Sequence, residues 1–380
     1  MRKFILIPDS FKGTMSSAEI CGIMHRTIAR YFPDAEILEI PVADGGEGTV
    51  DAFLTALPGE KVRLQVSGPL GKIVDGFYGI IGDTAVIEMA AAAGLPLVYG
   101  DLQPEAAGTY GVGQLIADAA KKGVKKIVVG LGGSATTDAG CGAAAAAGIR
   151  FYDAAGTSFV PVGGTLKDIA RIDTSGLLPE LRDIEIVTMC DISNPLSGEQ
   201  GAAYVFSPQK GADEAAVKRL DAGLRHVAAV VREQLGIEIE TLPGAGAAGG
   251  MGGGMVAFFG SRLQMGIETV LDLTGFAGHL EGCDLVLTGE GKIDSQSLRG
   301  KVVIGVAAEA QKQQVPVVAI VGDIGDPIDE AYSRGVSAIL STNRIAAPYA
   351  QQKTRAKADM ERTVDNLCRM LSGPLGRFGC

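Results

Sequence analysis

A glycine-rich turn followed by hydroxyl side chains is the part of this sequence whose composition points most directly to chemistry. Residues 127–142 read as an apolar strand, a turn, and an alanine-rich helix that we expect to begin near Ala139. Residues of the turn that could contact an anion are Gly132, Gly133, Ser134 and Thr136. Glycines let backbone N–H groups approach an oxyanion, and a helix N-terminus adds a positive dipole. The stretch therefore predicts a phosphate-binding loop, and the alternative is that its glycines only permit close packing of strand and helix.

Four other polar loops carry side chains of the right kind, and most of them directly follow a predicted strand. The loops are 8–13, 43–48, 189–196 with 206–211, and 287–297. Their candidate side chains are Asp9, Lys12, Asp44, Glu47, Asp191, Lys210, Glu290, Lys292, Asp294, Ser295 and Lys301. Because open α/β sheets bind ligands at the carboxyl ends of their strands, these side chains are expected to meet a ligand there.

Asp191 and Lys210 form the pair most suited to phosphoryl transfer. An acid just beyond a strand can accept a hydroxyl proton, and a lysine can balance charge on the transferring group. Taken singly, each loop has a structural alternative: Asp9 can satisfy local N–H groups, Asp294 can cap a turn, and Asp138 can cap the following helix. Five such loops together favour one shared cleft. A Walker A sequence is absent, so phosphate binding here would not be P-loop binding.

The order of predicted elements sets the fold class. Residues 3–40 read as β-α-β, with a helix that Ser16 and Glu19 cap and that ends at Tyr31. Residues 61–88 read as an antiparallel meander and residues 213–235 as a helix. Residues 284–371 read as alternating strands and helices, with a first strand over 284–287 and a last helix over 351–371. Two strands before residue 60 are too few for a stable sheet, and the economical solution pairs them with the three C-terminal strands. We therefore expect an α/β protein with a Rossmann-like, parallel-sheet, three-layer domain (1–66 plus 283–380) and an inserted mixed-sheet α/β domain (67–282) that carries the glycine-rich loop.

Composition excludes several classes of protein. The 380 residues include 34 basic and 44 acidic side chains, a net charge of −10, so the basic stripe that nucleic acid requires is missing. The six cysteines are scattered without a C-x-x-C pair, which fits reduced thiols and a cytoplasmic protein. Three separated histidines offer little for a zinc site or a serine hydrolase. No apolar run is long enough for a membrane span or a signal peptide, so no membrane partner is expected.

Several of these blocks, in this order, closely resemble the bacterial glycerate kinase family. The resemblance covers the chain from end to end and is carried by Pro8-Asp-Ser-Phe-Lys-Gly, Pro41-Val-Ala-Asp-Gly-Gly-Glu-Gly-Thr, Gly132-Gly-Ser-Ala-Thr, Cys190-Asp-Ile-Ser-Asn-Pro-Leu, Pro208-Gln-Lys-Gly-Ala and Thr288-Gly-Glu-Gly-Lys-Ile-Asp-Ser-Gln-Ser. It implies two α/β domains, ATP and Mg2+ as cosubstrates, and phosphorylation of D-glycerate, usually at the 2-hydroxyl, in a cleft between the domains.

Together with the residue-level reasoning, the resemblance gives each candidate a role. Asp191 would be the base, with Lys12 and Lys210 neutralising the carboxylate or the transferring phosphoryl group. Residues expected to bind the glycerate hydroxyls or Mg2+ are Asp9, Ser10, Glu290, Asp294 and Ser295. Residues expected to cradle the ATP phosphates are Gly132, Gly133, Ser134 and Thr136. Which carboxylate holds the metal, and whether the protein is an oligomer, the sequence leaves open.

Four positions depart from the family pattern: Thr137 replaces asparagine, Ala139 replaces glycine, Ser207 replaces glycine, and Lys292 replaces arginine. A lysine at 292 cannot hold a carboxylate or phosphate bidentately, as arginine does.

Three rival functions differ in chemistry. A glycerate 3-kinase, or a kinase of a related hydroxy-acid, would use the same site. A nicotinamide-dependent dehydrogenase would need a glycine fingerprint after the first strand, where Pro8-Asp-Ser-Phe-Lys stands instead. A small-anion binding protein with a hinged cleft would bind without consuming ATP.

Overall fold

The computed structural model describes residues 2–43 and 45–373. Its strands are β1 Lys3–Pro8, β2 Glu36–Glu39, β3 Glu60–Ser67, β4 Ile73–Ile81, β5 Thr84–Glu88, β6 Lys126–Gly130, β7 Arg150–Tyr152, β8 Ser158–Phe159, β9 Arg171–Asp173, β10 Glu185–Met189, β11 Arg262–Gln264, β12 Leu285–Ile293, β13 Val317–Ile324 and β14 Val336–Ser341. Its helices are α1 Ser17–Tyr31, α2 Thr49–Ala56, α3 Ala90–Ala93, α4 Tyr110–Lys121, α5 Cys141–Ala146, α6 Ala202–Phe206, α7 Glu214–Leu235, α8 Ala247–Phe259, α9 Gly266–Leu273, α10 Phe276–His279, α11 Val302–Gln311, α12 Glu330–Ser333 and α13 Tyr349–Ser372.

These elements group into two compact units. The first unit comprises residues 1–43, 55–57 and 265–380, and the second comprises residues 44–54 and 58–264. One parallel sheet and one mixed sheet confirm the expected α/β class.

The first unit is built on a parallel five-stranded sheet in the order β14-β13-β12-β1-β2. Strand β1 therefore lies inside the sheet between β12 and β2, and it pairs with β12 from Phe4 opposite Leu285 onward. Because side chains alternate along a strand, Phe4 and Leu6 face the core shared with α1 and α13, and the other face packs against α11. Helix α1 begins where the sequence predicts, since Ser16 and Glu19 form a capping box.

The second unit is built on a mixed six-stranded sheet in the order β11-β10-β6-β5-β4-β3. Strands β5, β6, β10 and β11 are parallel, and β3, β4 and β5 form the antiparallel meander read from the sequence. A separate antiparallel sheet has the order β8-β7-β9. Helices α4, α5, α7 and α8 contribute to the core of this unit.

The bounds of the units differ from the boundaries expected after residues 66 and 282. Strand β3 belongs to the second unit because it pairs antiparallel with β4 along its whole length, from Glu60 to Ser67. Residues 265–282 belong to the first unit because α9, which follows β11, packs against α11.

Two further expectations concern the chain as a whole. Five cysteines are free and buried, namely Cys21, Cys141, Cys190, Cys283 and Cys368, while Cys380 lies outside the described residues. Among the described residues, no helix combines the length and apolarity needed to cross a membrane.

Candidate active site

The first unit contains a cavity of about 500 Å³ beyond the carboxyl ends of β1, β12, β13 and β14. Its polar and charged lining residues are Asp9, Ser10, Lys12, Thr14, Glu290, Lys292, Lys301, Asp323, Thr342, Asn343, Arg344, Gln352, Lys353 and Asp359. Phe11, Ile345, Tyr349 and Ala356 add apolar surface. The structure thus brings together in one cavity six residues chosen from the sequence: Asp9, Ser10, Lys12, Glu290, Lys292 and Lys301.

The loop after β1 is held in place by its own backbone. The Asp9 N–H donates to the Gly289 carbonyl at 2.8 Å, which joins the start of the loop to β12. The N–H groups of Phe11 and Met15 each donate to the other residue's carbonyl, and both side chains are buried. Asp9 also accepts the Ser10 N–H at 2.6 Å, which fits the alternative that Asp9 satisfies N–H groups of its own loop.

Glu290 is the most unusual carboxylate of the cavity. Strand β12 extends to Ile293, so Glu290 and Lys292 lie on the strand itself, whereas the sequence pattern ended the strand at Leu287. Only 7% of Glu290 is exposed, and its Oε1 atom has no hydrogen-bond partner. Burial raises the pKa of Glu290 to about 7, and Asp9 and Asp294 add to the rise, whereas Ser297 and Lys301 oppose it. A buried carboxylate with an unpaired oxygen is ready to accept a proton or a cation.

Asp294 and Ser295 lie in the turn that follows β12 and are not among the residues lining the cavity. Asp294 accepts the Gln296 N–H at 2.9 Å, and its own N–H donates to the Ser297 hydroxyl at 3.2 Å. These bonds fit the turn-capping alternative for Asp294.

In the second unit, the glycine-rich loop is packed tightly against residues 45 and 46. A Cβ at Gly130 would lie 2.4 Å from the Gly45 carbonyl oxygen, and a Cβ at Gly132 would lie 2.5 Å from the Gly46 Cα. The Gly132 N–H donates to the Gly45 carbonyl at 2.9 Å. The packing alternative therefore accounts for Gly130 and Gly132, whereas Gly133 is exposed with φ of +76°. Asp44, which precedes this contact, lies outside the described residues.

Lys210 joins this loop from the side. Its Nζ donates to the Ser134 hydroxyl at 2.9 Å and to the Thr136 carbonyl at 2.6 Å, and the side chain is buried. Burial lowers the pKa of Lys210 to about 7, and the charge of Asp138 acts in the opposite direction. The Thr136 hydroxyl is buried without a hydrogen-bond partner. Lys210 is thus hydrogen-bonded directly to the glycine-rich loop.

Asp138 lies just before the helix that follows the glycine-rich loop. It is fully buried and accepts hydrogen bonds from the Thr109 N–H and hydroxyl, both at 2.8 Å, and from the N–H groups of Gly140 and Gly142, both at 3.2 Å. Burial raises the pKa of Asp138, and these donors lower it. Helix α5 begins at Cys141, and the Gly142 N–H in its first turn donates to this carboxylate. These bonds fit the alternative that Asp138 caps the helix following the glycine-rich loop.

Asp191 lies two residues beyond β10. Strand β10 pairs with β6 in parallel, with Met189 opposite Gly130, so Asp191 and the glycine-rich loop follow neighbouring strands at the same edge of the sheet. Its side chain is partly exposed.

The departures from the family pattern are partly explained by contacts. The Thr137 and Ser207 hydroxyls lie 3.2 Å apart, within hydrogen-bond distance, and both residues are fully buried. Two of the four departures therefore form one pair. Ala139 has φ of +52°, the left-handed region that favours glycine. Lys292 is exposed and 3.9 Å from Asp294.

Sequence reasoning missed the wall of the cavity formed by residues 342–345 and the first turns of α13. Thr342, Asn343 and Arg344 come directly after β14. The same strand-end rule that selected the other loops would have found them. Within residues 2–43 and 45–373, no three His, Cys, Asp or Glu side chains gather as a protein-only metal site.

Comparison with known proteins places these features in a family. Residues 4–372 match the model of the glycerate kinase family. The chain is 44% identical to a glycerate kinase of Halalkalibacterium halodurans, with 90% of each chain aligned. It is 44% identical to the glycerate 2-kinase of Escherichia coli K12, with 89% of this chain and 90% of that protein aligned.

A solved structure gives the same result for the fold. The structure of a Salmonella typhimurium LT2 protein assigned to glycerate kinase 2 superposes with a TM-score of 0.86 at 40% identity, covering 97% of this chain and 98% of that one. The resemblance read from the sequence motifs is confirmed: this chain belongs to the glycerate kinase family and is a kinase.

Proposed function

We propose that this chain transfers the γ-phosphoryl group of Mg-ATP to the 2-hydroxyl of D-glycerate and forms 2-phosphoglycerate. The observation that carries the proposal is the match to the Escherichia coli glycerate 2-kinase, which is 44% identical over 342 residues. Because nine-tenths of both chains align, the similarity spans most of both compact units.

Asp191 is the proposed base. It is a partly exposed carboxylate at the strand edge that also carries the glycine-rich loop, and a carboxylate can accept the proton that the glycerate hydroxyl loses as the new P–O bond forms. Lys12 is exposed in the cavity of the first unit, where its charge can balance a carboxylate or phosphoryl group. Lys210 is proposed to act by holding Ser134 and Thr136, since its ammonium group already bonds both residues.

The remaining candidates form two sets. Asp9, Ser10, Glu290, Asp294 and Ser295 belong to the first unit, and Gly132, Gly133, Ser134 and Thr136 belong to the second. Sequence reasoning allocates glycerate to the first set and the ATP phosphates to the second.

The residues of the first-unit cavity fit a magnesium ion. Mg2+ commonly takes one or two protein carboxylates and completes its coordination with phosphate oxygens and water. Glu290 offers a buried oxygen without a hydrogen-bond partner, and Asp9 lies close enough to raise the pKa of Glu290. These two carboxylates would hold the ion, and a bound Mg2+ would neutralise charge on the phosphoryl oxygens.

The test is product identification. The protein is incubated with Mg-ATP and D-glycerate, and phosphorus and carbon NMR identify the product, with L-glycerate and ATP-free mixtures as controls. We expect 2-phosphoglycerate and one ADP for each product molecule. A 3-phosphoglycerate product would favour the 3-kinase alternative, and an absence of ATP consumption with glycerate or related hydroxy-acids would favour a binding protein.

A further inference from the structure

We infer that the cavity of the first unit is the nucleotide site: it takes the triphosphate and nucleoside of the phosphoryl donor, which reverses the allocation of substrates suggested by the glycine-rich loop. The inference rests on the proposed function for the identity of the donor. The residues of α13 that line this cavity have no role in the proposed function, and a bound nucleotide would give them one.

Size is the first argument. The cavity measures about 500 Å³. Pockets for drug-sized ligands occupy roughly 300–1,000 Å³, so the cavity suits a nucleotide. A three-carbon acid such as glycerate would leave most of it empty.

Charge is the second argument. Five cationic side chains from separate segments line the cavity: Lys12 after β1, Lys292 on β12, Lys301 before α11, Arg344 after β14 and Lys353 on α13. Four carboxylates, Asp9, Glu290, Asp323 and Asp359, share the lining, but Asp359 already pairs with Arg355 at 3.0 Å. A triphosphate with its metal ion matches several cations and a few carboxylates, whereas glycerate carries a single charge.

Two helix ends strengthen the electrostatic argument. Lys301 immediately precedes α11, and Tyr349, Gln352 and Lys353 belong to the first turns of α13, so both N-termini border the cavity. Neither end carries a side-chain cap. Helix N-termini favour phosphate groups. The independent sign of a ligand is Glu290, whose unpartnered oxygen is buried in the wall of the same cavity.

The apolar part of the cavity suits a base. Ile345 and Tyr349, 42% and 62% exposed, both line the cavity, so they offer apolar surface that a ligand in it can cover. Phe11 and Ala356 complete this surface. An aromatic ring with aliphatic neighbours offers a stacking platform for adenine.

The glycine-rich loop of the second unit has fewer donors to offer. The Gly132 N–H is bonded to Gly45 and the start of α5 is bonded to Asp138, which leaves the hydroxyls of Ser134 and Thr136 as the loop's side-chain donors. Its exposed element is Gly133, which is better matched to a small acid than to a triphosphate.

Calorimetric titration of the full chain with Mg-AMP-PNP, a non-hydrolysable ATP analogue, tests the inference. Arg344→Ala and Lys353→Ala should each raise the Kd for Mg-AMP-PNP about tenfold, because each removes charge-assisted bonds to phosphate. Ala356→Trp, which fills the apolar part, should abolish binding. The matched control is Lys357→Ala, one turn further along α13, whose ammonium group pairs with Glu19 at 2.6 Å; it should leave the Kd unchanged.

Gly133→Val decides between the two allocations. Under the inference it raises the KM for glycerate and leaves the Kd for Mg-AMP-PNP unchanged. If Gly133→Val weakens analogue binding tenfold while all three cavity variants bind normally, the inference is overturned.

Because the titration measures binding without turnover, failure of the proposed function can be distinguished from failure of the nucleotide-site inference. Cavity-dependent analogue binding without phosphorylation of glycerate would refute the proposed function and support the nucleotide site. Phosphorylation of glycerate with analogue binding that is insensitive to the cavity variants would refute the nucleotide site alone.

Discussion

Replacing Asp138 should destabilise the second unit strongly, and the size of the loss should depend on how many acceptors the replacement keeps. The Asp138 Oδ2 atom accepts three hydrogen bonds, from the Thr109 N–H, the Thr109 hydroxyl and the Gly142 N–H, and Oδ1 accepts one from Gly140. Asp138→Ala leaves all four donors buried without a partner. We expect a loss of about 3–5 kcal/mol in the free energy of unfolding.

Asp138→Asn gives a graded comparison. An asparagine can place its oxygen at the Oδ2 position and keep three bonds, while its NH2 group meets the Gly140 N–H. One lost bond and one donor–donor contact should reduce the free energy of unfolding by about 1–3 kcal/mol. The matched control is Asp153→Ala in the β7–β8 turn, where Oδ1 accepts the N–H groups of Ala155 and Thr157 near the surface; its loss should be about 1 kcal/mol.

Urea unfolding followed by far-UV circular dichroism measures these differences, since the chain contains no tryptophan. If two transitions are resolved, the one belonging to the second unit should shift. An Asp138→Ala loss below 1 kcal/mol, or equal losses for Ala and Asn, would refute the argument that this carboxylate satisfies the buried donors.

Three further predictions concern catalysis, pH and architecture. Asp191→Asn should lower kcat about 100-fold or more with an unchanged circular dichroism spectrum, and a folded variant with near-normal kcat would remove Asp191 from the role of base. Burial lowers the pKa of Lys210 from 10.5 to about 7, so between these pH values the unfolded chain binds more protons and the Lys210 contribution to stability rises with pH, by up to about 1.4 kcal/mol per unit. Urea unfolding at pH 7, 8 and 9 should therefore show an increasing difference between the wild type and Lys210→Met, and parallel curves would contradict the argument. A fragment of residues 44–264 should unfold cooperatively because it contains a whole sheet and core, whereas residues 1–66 should not fold alone; cooperative unfolding of the short fragment would show that the chain is divided wrongly.

Local patterns in the sequence were enough to predict the class of fold and the family. Alternation and 3.6-residue periodicity report which face of an element is buried, so α1, α7, α13 and the meander were predicted close to their observed bounds. The capping box at Ser16 was predicted because a cap is a contact between residues three positions apart. The order of several motifs identified the family, since together they are far more specific than any one loop.

Tertiary structure decided the features that depend on partners far apart in the chain, namely the unit to which β3 belongs and the length of β12. Strand β3 joined the second unit through its pairing with β4, and β12 continued past Leu287 because β13 pairs with it as far as Ile293. The meander pattern indicated the β3–β4 pairing, which the expected boundary after residue 66 divided. The continuation of β12 has no such local signal, because it depends on β13 elsewhere in the chain.

The same reason explains the site. The sequence selected Lys210, Asp138 and Glu290 as polar residues in glycine-rich surroundings, but a residue's type does not tell what its side chain will meet after folding. Lys210 is bonded to residues more than 70 positions away, and Asp138 receives two of its four hydrogen bonds from Thr109. The sequence by itself determined which chemical groups stand at the ends of strands. Only the folded chain determined which of them have their hydrogen bonds satisfied by protein and which, like Glu290, keep a buried oxygen without a partner.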